Sequence, residues 1–67
     1  MAPDRKTRDV QADLRMAGFH PTRSDGSHTW WKHECGVAVS VPDGHRMISP
    51  GVWTKIVKAI TEAHERS

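Results

Sequence analysis

The sequence predicts an α+β domain: helix, three antiparallel strands, helix, with both helices on one face of the sheet. Three observations predict it. Val10, Leu14 and Ala17 recur at helical spacing near one end of the chain, and Val52, Ile56 and Ile60 near the other. Between them, Val37, Val39 and Val41 alternate with Ala38 and Ser40 at the period of a half-buried strand. Asp25-Gly26 and Glu34-Cys35-Gly36 interrupt the middle segment where hairpin turns belong.

The first helix is expected over Thr7 to Ala17. Thr7 reads as its N-cap, Asp9 suits its first turn, and Gly18 stops it. Residues 1–6 read as a loose polar arm. The first strand is expected over Phe19 to Ser24, where Pro21 points either to an edge position or to a later start. Asp25-Gly26 supplies a two-residue type I′ turn into a second strand, Ser27 to His33. Glu34-Cys35-Gly36 turns the chain into the third strand, Val37 to Val41, which Pro42-Asp43-Gly44 ends. Ser49 as N-cap and Pro50 at the first helical position open the last helix. Trp53 and Val57 broaden its apolar stripe. From Glu62 on the chain turns polar, and residues 63–67 are expected to fray.

At 67 residues the chain makes one domain, with a thin core. It is 36% hydrophobic and 27% charged, and its mean hydropathy of −0.66 leaves no run long enough to cross a membrane. The N-terminus lacks the apolar stretch of a secretion signal. The lone cysteine, Cys35, cannot staple the fold, so a cytoplasmic location is expected. A net charge of +2 permits a polyanionic partner without requiring one.

Alternation along the second strand puts His28, Trp30 and Lys32 on one face and Ser27, Thr29, Trp31 and His33 on the other. Burying Lys32 unpaired is costly, so its face is the open one. Trp31 then packs under the helices. Trp30 stands beside a cation and a histidine, suited either to stacking on a nucleobase or to packing under a loop or partner.

Few residues suggest chemistry. A lone strand histidine is usually only a surface residue, yet His28 has the side chain best suited to proton transfer near neutral pH. His20, His28, His33, Cys35 and His45 lack the spacing of a zinc site, and His28 and His33 fall on opposite faces. Nothing local activates Cys35 as a nucleophile. No phosphate loop, nucleophile elbow or dinucleotide fingerprint is present. Most basic residues read as solvated surface. Arg23 and Lys32, on paired strands near His28, are placed to hold a phosphate.

The ordered set "AGFHPTRSDGSHTWWKH", "VSVPDGH" and "SPGVWTKIVKAI" resembles the HicA-type toxins of bacterial toxin–antitoxin pairs. The matching positions are Gly18, Phe19, Arg23, Gly26, Ser27, His28, Val41, Pro42, His45, Pro50, Gly51 and Ile56, spread over roughly residues 7 to 60. Two departures stand out. Pro42-Asp43-Gly44-His45 sets its histidine one residue later than the family's usual Pro-x-His, and Gly51-Val52 replaces a frequent Gly-Thr. The resemblance implies a fold similar to a double-stranded-RNA-binding domain. It also implies the toxin of a type II pair: an endoribonuclease cleaving mRNA, restrained by a HicB-type antitoxin, with the essential histidine falling on His28.

Under that resemblance no cofactor or metal is expected, because RNA carries its own nucleophile, the 2′-hydroxyl. His28 acts as general base or acid, Arg23 or Lys32 stabilises the phosphate, and Ser27 and Trp30 complete the RNA contacts. A monomer is expected. The competing readings are a non-catalytic RNA-binding module and a protein-interaction domain of the same fold.

Overall fold

Two amphipathic helices can be buried together only against an apolar surface wide enough for both, and a three-stranded sheet supplies it. The computed structural model of the chain describes residues 4–66. The order is β1 (Arg5–Lys6), α1 (Thr7–Met16), β2 (Phe19–Asp25), β3 (His28–His33), β4 (Ala38–Val41), β5 (Met47–Ile48) and α2 (Pro50–Arg66). β2, β3 and β4 form an antiparallel sheet with β3 in the centre. Val10 and Leu14 of α1 and Ile56, Ala59 and Ala63 of α2 join Phe19, Trp31 and Val41 of this sheet in one core. The expected α+β architecture, helix–three strands–helix, is therefore present.

Several local expectations are corrected. Arg5 and Lys6, expected in a loose arm, pair antiparallel with Met47 and Ile48 as a two-stranded ribbon. The rest of that arm, residues 1–3, and Ser67 at the other end lie outside the described residues. Thr7 is not an N-cap: Lys6 holds that position without a side-chain bond. Thr7 is instead buried. Its amide donates to the Arg46 carbonyl at 2.9 Å and its hydroxyl to the His45 carbonyl. The first helix ends at Met16, with Ala17 as its C-cap.

α2 does not fray at Glu62. It runs to Arg66, because Ala63 is buried in the core and Arg66 pairs with Glu62 one turn back at 2.8 Å. Ser49 does cap it: its carbonyl accepts from the Trp53 amide at 2.9 Å, and its hydroxyl lies 3.4 Å from the Val52 amide. Val57, expected on the apolar stripe, stands exposed.

The first hairpin also differs in detail. Its two turn residues are Gly26 and Ser27, so Asp25 closes β2 and His28 opens β3. Gly26 has φ +68° and Ser27 a negative φ, the sign pattern of a type II′ turn rather than the expected I′.

Candidate active site

β3 is the strand that positions the candidate residues. Its side chains alternate exposed and buried from His28 to His33 without interruption. His28, Trp30 and Lys32 form a row on the open face, while Thr29, Trp31 and His33 point into the domain. Neighbours in that row are about 7 Å apart. Trp30 is 41% exposed and Trp31 only 2%, so adjacent tryptophans serve opposite faces.

Regular pairing on β2 would turn Arg23 the wrong way. Counting from buried Phe19, strict alternation sends Arg23 inward. A bulge between Pro21 and Arg23 leaves Thr22 without a cross-strand partner and reverses the alternation beyond it. Arg23 therefore sits opposite Trp30 on the open face. The Thr22 hydroxyl donates to the Trp30 carbonyl at 3.2 Å, fastening the bulge to the central strand.

The same register places Asp25 directly opposite His28 and His20 directly opposite Lys32. The sequence reading assigns neither to this face. For Asp25 a signal exists: a two-residue Gly26-Ser27 turn makes Asp25 and His28 the closing pair of the hairpin. Along the open face the cross-strand pairs run Asp25–His28, Arg23–Trp30 and His20–Lys32. Arg23 is diagonal to His28, about 7–8 Å away between backbones. Lys32 is two strand positions beyond Trp30 and correspondingly farther.

His28 is exposed, with the Ser27 Oγ 3.3 Å from its Nδ1. That contact leaves Nε2 without a protein partner among the described residues. Ser27, expected on the buried face, is an exposed turn residue, so it can help orient the ring. His33 is a core histidine. Its Nδ1 accepts from the Cys35 amide at 3.0 Å, and Phe19 meets its ring edge-on with centroids 5.3 Å apart. His45 lies exposed in the loop between β4 and β5. Among the described residues no three His, Cys, Asp or Glu side chains gather to hold a metal ion. No helix among them is long and apolar enough to cross a membrane.

The loop after β4 is locked to the end of the hairpin that carries His28. The Gly44 amide donates to the Ser27 carbonyl at 2.9 Å. The approach is so close that a Cβ on Gly44 would lie 2.6 Å from that of Ser27. Thr29, next to His28, donates its hydroxyl to the Asp43 carboxylate.

An exposed histidine, two cations and an accessible aromatic on one open sheet face can bind and protonate or deprotonate an anionic, base-bearing ligand. No curated protein matches the chain. The model of one family, described as the HicA toxin of bacterial toxin–antitoxin systems, matches residues 7–61. That match runs from the first residue of α1 through most of α2 and takes in every residue of the open face, so the chain belongs to the HicA toxin family.

Proposed function

We propose that this HicA-family toxin is a metal-independent endoribonuclease that cleaves mRNA, with His28 as its proton-transfer group. The observation that carries the reading is the single open face on which Arg23, Trp30 and Lys32 accompany an exposed His28. His28 removes the proton of a ribose 2′-hydroxyl, and that oxygen attacks the adjacent phosphorus. The bond to the 5′-oxygen breaks, and that oxygen takes up a proton. The products are a 2′,3′-cyclic phosphate and a 5′-hydroxyl end. General-base help of this kind contributes about 10²–10⁴-fold.

Arg23, diagonal to His28, is the cation nearer the reacting phosphate and supports the charge that develops there. Lys32, farther along the row, holds a neighbouring phosphate. Trp30 between them stacks a base, and Ser27 steadies the imidazole through Nδ1. The proposed setting is the cytoplasm, where a monomeric toxin meets mRNA. The proposed restraint is a HicB-type antitoxin bound over the same face.

Incubation of the purified protein with single-stranded RNA, with and without EDTA, tests this beside folded His28→Ala. Cleavage is expected to survive EDTA and to disappear in the variant. A DNA oligonucleotide of the same sequence, lacking the 2′-hydroxyl, is expected to stay intact. Binding of RNA without cleavage by well-folded wild type would favour the non-catalytic RNA-binding reading instead. Efficient cutting of DNA would overturn the proposed chemistry.

A further inference from the structure

The loop from Pro42 to Arg46 is pinned from two sides. Gly44 and Asp43 are bonded to Ser27 and Thr29 of the His28 hairpin. On the other side, Thr7 at the start of α1 bonds the carbonyls of His45 and Arg46. Between this loop and the start of α1 opens a cleft of about 530 Å³. Its walls carry Lys6, Arg8, His45 and Arg46, all exposed. Among the described residues Lys6, Arg8 and Arg46 have no ion-pair partner. The one carboxylate in the described wall, Asp43, is engaged by Thr29.

Three cations outside any ion pair and an imidazole, lining one concave site, focus positive potential there. Isolated surface cations need no explanation, but these converge on a cleft whose wall is fastened to the hairpin of His28. The rim is one residue from His28, because Gly44 touches Ser27. The cleft wall and His28 therefore lie at the same end of the β2–β3 hairpin.

We propose that the cleft is a second anion site that binds a backbone phosphate of the RNA substrate, flanking the phosphate that is cut. The proposal rests on the ribonuclease reading for the identity of its ligand. It commits to RNA rather than to an acidic segment of a protein partner, because the Ser27–Gly44 hydrogen bond sets the cleft wall against the hairpin that carries His28.

The test uses a single-stranded 2′-O-methyl RNA of about a dozen nucleotides, a length that one small domain can cover. With its 2′-oxygens blocked it binds without being cut. Affinity is measured by fluorescence anisotropy at several salt concentrations. Each phosphate of a single strand that the protein neutralises adds about 0.7 to the slope of log affinity against log salt, so Arg8→Gln with Arg46→Gln, which empties this one-phosphate site, is expected to flatten it by about 0.7. Lys55→Gln with Lys58→Gln removes the same charge from the exposed surface of α2 and is expected to leave the slope unchanged. Should the double variant unfold, each single cleft variant is expected to flatten the slope in the same direction and by less. Wild-type slope in the cleft variants overturns the proposal, as does an equal drop in both doubles. An unchanged RNA slope with weakened antitoxin binding also overturns it, and reassigns the cleft to a protein partner. Because the probe is not cleaved, a wild type without ribonuclease activity would sink the catalytic reading while leaving this measurement standing.

Discussion

Thr29, buried in the central strand, donates its hydroxyl to the carboxylate of Asp43 in the loop after the next strand. Thr29 is the residue after His28, so one hydrogen bond ties the cleft wall to the strand of the candidate catalytic group. Thr29→Val keeps the shape and removes the donor. A hydrogen bond to a charged acceptor is worth about 1.5–3 kcal/mol, and the variant is expected to lose an amount in that range in urea unfolding. An unchanged midpoint would show that the bond contributes nothing.

Gly44→Ala probes the same junction from the loop side. The new methyl meets the Cβ and backbone of Ser27, so the loop and hairpin must move apart. Overpacking of this kind costs about 1–3 kcal/mol. A fall in melting temperature is expected, together with slower RNA cleavage as Ser27 shifts under the His28 ring. Wild-type stability would mean that the loop relaxes freely.

The two tryptophans are expected to separate stability from binding. Trp31→Ala empties the core beneath both helices and is expected to cost about 3–5 kcal/mol, a large share of what so small a domain possesses. Trp30→Ala, at a side chain 41% exposed, is expected to cost clearly less than Trp31→Ala, about the worth of its cross-strand contacts at roughly 0.2–1 kcal/mol each. Its RNA affinity is expected to fall by about 1–3 kcal/mol, the worth of one stacked base. Denaturation and anisotropy on both variants read the two effects, and undiminished RNA binding by Trp30→Ala would remove the stacking role.

Arg23→Gln and Lys32→Gln are expected to differ in kind. Arg23, diagonal to His28, supports charge that grows in the transition state, and removing it is expected to lower kcat about 10²-fold. Lys32 holds a phosphate that does not react, and its removal is expected to appear mainly in KM. Initial rates over a range of RNA concentrations separate the two, and equal effects on kcat would cancel the distinction drawn from the register.

The helices and the third main strand are legible in the sequence because each repeats an apolar residue over several turns or pleats, and the first two strands because Gly18, Asp25-Gly26 and Gly36 bound them. The faces of β3 are legible too, since burying Lys32 without a partner is the costly alternative. The β1–β5 ribbon is not: two-residue strands have no period to read. Thr7 looks like a cap because its hydroxyl suits one, yet the partner it takes, His45, is distant in sequence. The bulge at Thr22 leaves no mark in composition, so sequence alone places Arg23 near His28 without saying which face it takes. The cleft depends on Lys6, Arg8 and Arg46 coming together across the fold, which no local pattern reports. Asp25 is hidden differently: Asp-Gly is the stronger turn signal, and it draws the hairpin turn one residue too early.

The β1–β5 ribbon has a bearing on the order of folding. It joins Arg5–Lys6 to Met47–Ile48, with α1 and the whole β2–β4 sheet lying between the paired segments. Pairing segments so far apart carries a larger loop-closure entropy than the adjacent hairpins, and is expected to follow them. The hairpin bearing His28 can thus form early in synthesis, while the cleft wall at Lys6 and Arg46 waits until the chain has passed Ile48. A ribosome-bound fragment that stops before β5 is expected to display the histidine face without the ribbon that closes the cleft.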